Sequence, residues 1–183
     1  LQRINSGVTR CDSIISQLLD FARTKQLQCD SLVLDEWVAK LAEDEVQSLP
    51  EAIAVECHLG ASDTKADFDP ARMSRVLINL LSNAAEAMVG KGDDPTKFTT
   101  ASPKIIIRTT VTPRGGELSV SDNGPGIPAD VLPRILEPLF TTKNFGTGLG
   151  LPAVEKILEQ HGGGLDIAVL GLALVYFAVD KFV

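Results

Sequence analysis

Asn79 and Asn83 stand four residues apart in a stretch with helical periodicity, which puts both amides on one helix face. Neutral amide oxygens suit a magnesium ion that phosphates and water already ligate. Alone, two such asparagines are ordinary polar surface. Further along, Asp122-Asn-Gly-Pro-Gly126 follows directly on an apolar, strand-like run. An aspartate at a strand end, with glycines at alternate positions after it, brings a carboxylate and bare backbone against a flat ligand. Such a carboxylate can accept from an exocyclic amine like that of adenine. A plain Gly-Pro turn explains the same residues. A third stretch, Gly146-Thr-Gly148-Leu-Gly150, precedes helical periodicity through Leu151, Val154, Ile157 and Leu158. Glycines let backbone approach a polyphosphate, and a helix start offers N–H donors and the positive end of a dipole. This is no P-loop, because no Lys-Ser/Thr pair follows the glycines, and no dinucleotide fingerprint, because a lid-like segment rather than a strand precedes it. That segment, residues 127–145, contains Glu137-Pro-Leu-Phe140-Thr-Thr-Lys143. Phe140 is placed to pack locally and Lys143 to reach a terminal phosphate, as in a lid that shields phosphoryl transfer from water.

These four stretches need elements to hold them. Asp69-Pro70 is a helix start, a capping side chain with proline at the first helical position. The helix it opens carries Met73, Val76, Leu77, Leu80, Leu81, Ala84 and Met88 on one face. Arg75, Asn79, Ser82, Asn83 and Glu86 form a polar stripe beside that face. Residues 90–103 are rich in Gly, Pro, Thr and charge, and read as a loop insertion. Ile105–Val111 and Glu117–Ser121 flank the turn 113–116 as a β-hairpin. Upstream, Leu32–Leu34 is a short strand and Asp35 a candidate cap for a helix with Trp37, Val38, Leu41 and Val46, ended by Pro50. Ile53, Val55, Cys57 and Leu59 alternate with Ala54, Glu56 and His58 as a half-buried strand, which leaves His58 on the surface. At the N-terminus, Leu1, Ile4, Val8, Cys11, Ile15, Leu18 and Ala22 form the a/d seam of a helix that packs on a partner. The uncharged run Ile167–Val179 falls short of the roughly 18 apolar residues of a membrane span, and reads as two short buried strands around Gly171.

The whole chain has 183 residues, of which 44% are hydrophobic and 22% charged, fitting one compact domain with a short appendage. Its formal net charge of −7 disfavours nucleic-acid binding, which wants a basic surface. Cys11, Cys29 and Cys57 are odd in number, widely spaced and without metal-ligand spacing, which favours a reducing compartment. No basic-then-apolar signal peptide opens the chain. The expected localisation is cytoplasmic, with membrane anchoring left open for a longer protein.

In this order and spacing, the four stretches resemble the ATP-binding domain of sensor histidine kinases of two-component systems. RVLINLLSNAAEAM (75–88) looks like that family's asparagine box and DNGPGIP (122–128) like its first glycine box. EPLFTTK (137–143) is similar to the phenylalanine box and GTGLGL (146–151) to the second glycine box. IISQLLDFAR (14–23) resembles the second helix of the dimerisation hairpin, so the likeness covers roughly residues 1–167. The resemblance implies an α/β two-layer sandwich, a mixed β-sheet backed by three helices. It divides the chain into an incomplete hairpin (1–29) and a catalytic ATP-binding domain (30–183). ATP and Mg2+ are the implied cofactors, a response regulator the implied partner, and homodimerisation through the N-terminal helix the implied assembly. Asn83 would ligate magnesium, with Asn79 one turn earlier near the phosphates as the second catalytic residue. Asp122 would take the adenine amine, with Gly124, Gly126 and Ile127 against the base. Glu86, Phe140, Thr142, Lys143, Gly146, Thr147, Gly148, Leu149 and Gly150 complete the implied nucleotide contacts.

Two departures from the family pattern set further expectations. The acceptor histidine of the family lies on the first hairpin helix, and neither His58 nor His161 fits that place. The chain is therefore expected to bind Mg-ATP without phosphorylating itself. After His161-Gly-Gly-Gly the family has a polar turn and a Gly-Thr-x-Phe strand, where this chain has AVLGLALVYFAVDKFV. The threonine near the adenine is missing. Hydrolytic relatives of the fold, of the gyrase, heat-shock-chaperone and mismatch-repair type, place a glutamate base one turn before the magnesium asparagine. Here that place is Asn79, whose amide takes no proton at neutral pH, so transfer is expected over hydrolysis. Glu86, on the other side of Asn83, is the remaining candidate base. A non-catalytic dimerisation or docking module is the further alternative, supported by the heptad seam and the altered C-terminus and opposed by the four intact boxes.

Overall fold

The computed structural model describes residues 26–88, 99–113, 115–143 and 146–168, and the backbone of 172–176. The heptad seam of the N-terminal stretch and most of the 90–103 loop lie outside the described residues.

The described chain runs β1 (Asp30–Val33), α1 (Leu34–Val46), β2 (Ala54–Leu59), β3 (Lys65–Phe68), α2 (Pro70–Met88), β4 (Lys104–Thr112), β5 (Gly115–Asp122), α3 (Gly150–Gln160), β6 (Gly164–Ala168) and β7 (Leu172–Tyr176). Five strands form one sheet in the order β2-β4-β5-β7-β6, with β2 parallel to β4 and every other pair antiparallel. The parallel pair needs a crossover, and α2 lies within it. β1 and β3 form a separate antiparallel ribbon. The expected two-layer sandwich, a mixed sheet with three helices on one face, is the architecture observed.

Apolar periodicity explains the layers. From β4, Ile105, Ile107 and Thr109 point into the core, and from β5, Leu118 and Val120, all at most 1% exposed. Against them sits the apolar face of α2, in which Met73, Val76, Leu77, Leu80, Leu81, Ala84 and Met88 are buried, together with Ala85. Val154 and Leu158 of α3 and Val38 of α1 complete that layer. Asp69 caps α2 as expected, accepting the Arg72 N–H at 3.1 Å.

Several local expectations change. Asp35 is not a cap, because α1 enters directly from β1 with Val33 at the capping position. Its carboxylate instead turns inward and accepts from the Ala61 N–H and the Thr109 hydroxyl, tying α1 to β4. The helix closes at Val46, one turn before Pro50. β3 was not anticipated: Lys65-Ala-Asp-Phe68 alternates exposed and buried residues over only four positions, and pairs with β1. In β2, Cys57 is exposed although it shares the inward phase, because β2 is the edge strand and its neighbours cover only part of it. The hairpin is tighter than expected: Gly115 and Gly116 pair with Thr112 and Val111, leaving only positions 113 and 114 between the strands. The apolar C-terminal run does form two strands around Gly171, but the first begins earlier, at Gly164, and is half-buried rather than buried. The two strands form a hairpin in which Ala168 pairs with Leu172.

Candidate functional site

Four elements converge beside the polar stripe of α2. Asn79 and Asn83 are half-buried there, at the boundary between the core and solvent. The Asn79 amide donates to the Arg75 carbonyl at 2.8 Å, which fixes its oxygen toward the start of α3. A Cβ on Gly150, the first residue of α3, would stand 3.1 Å from Asn79 Oδ1 and 3.8 Å from Asn83 Nδ2. The asparagine pair and a helix N-terminus therefore meet. The first turn of a helix leaves N–H groups without intrahelical acceptors. In α3 these are those of Gly150 and Leu151, Pro152 having none. Thr147 shapes the approach by accepting the Leu149 N–H at 3.3 Å, with Leu149 itself buried.

At the far end of α2, Asp122 closes β5. Its carboxylate accepts the Gly124 N–H at 2.8 Å, an Asx turn that holds the side chain against the chain's own backbone. Burial pushes the Asp122 carboxyl above its ordinary range, and the Gly124 N–H works against that rise. A Cβ on Gly124 would come 2.7 Å from that carboxylate and 3.3 Å from Met88. Gly126 has φ +73°, a backbone conformation open chiefly to glycine, and Ile127 beside it is half-buried.

The segment between the glycine stretches folds around a short 3-10 turn, Leu132–Arg134. Phe140 packs locally, as expected: the Arg134 guanidinium lies 4.1 Å over its ring and pairs with Glu137 at 3.1 Å. Leu139 adopts φ +69° and stands 63% exposed, an uncommon backbone for a branched apolar residue. Its N–H donates to the Gly148 carbonyl at 2.9 Å. Thr142 is exposed.

Lys143 does not stand free in this structure. Its ammonium donates to Asn83 Oδ1 at 3.0 Å and to the Glu86 carboxylate at 2.5 Å. Glu86 was expected at the nucleotide but its partner was not. Its place three residues after Asn83 was the available signal, since i and i+3 share a helix face. In this structure the Glu86 carboxylate is engaged by an ammonium. The cluster also tests for a divalent cation. A positive charge already sits between an amide oxygen and a carboxylate oxygen, the hard donors that Mg2+ prefers. The residues fit that ion.

Gly146 and Gly148 make room for the 139–143 segment. A Cβ on Gly148, at φ +66°, would fall 2.6 Å from the Phe140 carbonyl oxygen and 2.7 Å from its nitrogen. One on Gly146 would meet Thr141 and the Lys143 Cβ. Each open face is filled by the lid. His161 was set aside from the sequence as a misfit. It is a clamp: its Nε2 accepts the Asp69 N–H at 3.0 Å while Nδ1 donates to the Ile157 carbonyl at 2.7 Å, joining the end of α3 to the start of α2. No sequence signal announced it. His58 is on the surface as expected, 3.4 Å from Glu56. Among the described residues, no group of three or more His, Cys, Asp and Glu side chains gathers as a metal site, and no helix is long and apolar enough to cross a membrane.

Residues 68–176 match the family described as histidine kinase-, DNA gyrase B-, and HSP90-like ATPase, which is more than half of the chain. The sensor histidine kinase ZraS of Escherichia coli (strain K12) is 32% identical over 164 residues, covering 87% of this chain and 32% of its own length. The chain thus spans about a third of that relative. A solved catalytic domain of the histidine kinase ThkA superposes with a TM-score of 0.66 at 27% identity, covering 81% of this chain and 93% of that one. ThkA solved in complex with the response regulator TrrA aligns at a TM-score of 0.73 and 23% identity, covering 97% of this chain and 50% of that one, a likeness of fold.

Proposed function

The chain belongs to the histidine kinase-, DNA gyrase B-, and HSP90-like ATPase family, and from that premise we propose that it is the ATP-binding, phosphoryl-donor domain of a sensor histidine kinase. It passes the γ-phosphate of Mg-ATP to a hairpin-helix histidine that is neither His58 nor His161, the two in this sequence, for relay to a response-regulator aspartate. The observation that carries this reading is the approach of Gly150 to Asn79 and Asn83, which brings a helix N-terminus onto the asparagine pair.

Phosphoryl transfer needs positioning and charge compensation more than covalent chemistry. Asp122 orients the adenine by accepting from its amine, and Gly124 and Gly126 let the base lie close. The N–H groups at the start of α3 meet the phosphates. Asn83 supplies the amide oxygen for the metal, and Asn79, anchored on Arg75, holds the phosphates' near side. Bound magnesium would neutralise phosphate charge. The segment with Phe140, Thr142 and Lys143 closes over the nucleotide and excludes water. With an amide at position 79, the place where hydrolytic relatives carry a glutamate holds no general base, which favours transfer over hydrolysis.

Residues 1–29 serve in this reading as a hairpin helix through which a longer protein dimerises, and the domain works in the cytoplasm, where ATP and the regulator are. Asn83→Ala tests the reading: by calorimetry, Mg-dependent nucleotide binding is lost while the fold persists. Unchanged binding overturns the assignment. Steady ATP turnover on the order of 1 per second would instead favour a hydrolase.

A further inference from the structure

The geometry points to Lys143 as a latch that holds the lid shut over the cation position until magnesium displaces it. This rests on the reading of Asn83 as the magnesium ligand. One oxygen, Asn83 Oδ1, is the proposed metal donor and also the acceptor of the Lys143 ammonium at 3.0 Å. Two cations that both bind through that oxygen repel each other, so the lysine and the metal compete for it. Glu86 supplies the other half of the grip at 2.5 Å, across from Asn83.

The lid is built to swing from one end. Its base is fixed by the Leu139 N–H on the Gly148 carbonyl and by the backbone of Leu139 and Phe140 packed where Gly148 has no side chain. Its tip, four residues on from Leu139, is held by the Lys143 side chain to α2. The pair is partly solvated, with Lys143 38% and Glu86 58% exposed, so its grip is modest and reversible. A weak latch suits a lid that must open for each nucleotide. When the metal arrives, Lys143 leaves Asn83 and is free to turn to the phosphates, so the contact that closes the lid without nucleotide is exchanged for one that closes it with nucleotide.

The test separates latch from phosphate contact by using ADP, which lacks the terminal phosphate. Backbone hydrogen exchange over residues 137–143 is measured in nucleotide-free protein, for wild type, Lys143→Met and Glu86→Gln. Both variants are expected to exchange several-fold faster there than wild type, with exchange in β4 and β5 unchanged. Calorimetry with Mg-ADP is expected to give two- to fivefold tighter binding in Lys143→Met, because the competing ammonium is gone. Unaltered exchange over 137–143 in both variants overturns the latch, and so does weaker Mg-ADP binding by Lys143→Met. Failure of the wild type to bind Mg-ADP at all overturns the nucleotide reading and the competition with it, while the exchange data still decide whether the contact itself restrains the lid.

Discussion

The two glycine stretches look alike in sequence and are built on different principles. In 122–126 the nearest atom to an open glycine face is the stretch's own: Asp122 accepts from Gly124 two residues away and its carboxylate stands closest to that face, with Met88 and Ala87 of α2 behind it. Asn123 ties the turn to Lys104 and Ser102. In 146–150 every open glycine face is filled from elsewhere. Thr141 and Lys143 fill that of Gly146, Leu139 and Phe140 that of Gly148, and Asn79 that of Gly150. The first stretch has a turn of its own, which α2 and the start of β4 then hold. The second exists only when the lid and α2 are in place. The stretch proposed to meet the base thus carries its own closest contact, whereas the one proposed to meet the phosphates takes each of its contacts from the lid or α2.

The sharpest way to break this contrast is Gly148→Ala. The left-handed backbone there costs an alanine about 1 kcal/mol, and the new Cβ lands on the backbone of Leu139 and Phe140, which cannot rotate away as a side chain could. We expect a loss of roughly 2 kcal/mol or more in chemical denaturation, with faster hydrogen exchange at Leu139. Protection at Leu139 equal to wild type would show that the lid base does not depend on Gly148.

In the first stretch the effect is smaller and depends on pH. Burial raises the Asp122 carboxyl, opposed by the Gly124 N–H, so the folded state binds its proton more tightly than the unfolded chain does. The sign follows from that. Its contribution to stability is fully present below the unfolded value and is lost as pH rises through the raised one. Asp122→Asn cannot ionise and keeps an oxygen for Gly124. At neutral pH it is expected to be more stable than wild type, by less than about 1 kcal/mol because solvent screens a half-buried group, with the difference vanishing near pH 3. Nucleotide affinity falls on the order of tenfold, as a charged acceptor becomes a neutral one. Urea denaturation across that pH range, with calorimetry at neutral pH, checks both. A variant less stable than wild type at neutral pH would mean that the carboxylate charge is favoured where it sits.

How far the sequence reached follows the same division. The buried face of α2, the Asp69 cap, β4, β5 and α3 were legible because each is set by periodicity or by a residue two or three places away. Asp35 misled because a good capping type was drawn to Ala61 and Thr109, partners 26 and 74 residues distant. β3 was missed because its alternation runs for only four residues, too short to stand out without its partner β1. At the proposed site, the asparagines, Asp122 and the glycines were singled out by type and spacing. The pairing of Glu86 with Lys143 crosses 57 residues and left only the spacing of Glu86 from Asn83 as a signal, and the clamp of His161 on Asp69 crosses 92 and left none.

Gly150→Ala is the mildest probe, because its effects oppose one another. Alanine is the better helix former, by up to about 1 kcal/mol in a helix interior and less at the first position. Against this, the Cβ would press on Asn79 Oδ1 at 3.1 Å, tighter than ordinary contact. Asn79 is tied to the Arg75 carbonyl, so relief comes by breaking that bond or by shifting the start of α3 a few tenths of an ångström. Fold stability should therefore change by no more than about 0.5 kcal/mol. Mg-nucleotide affinity should fall a few-fold, because either form of relief moves groups proposed to face the phosphates. If affinity holds while stability rises, Gly150 was there only for want of a better helix former. The second stretch would then join the lid alone, with no part of it built on α2.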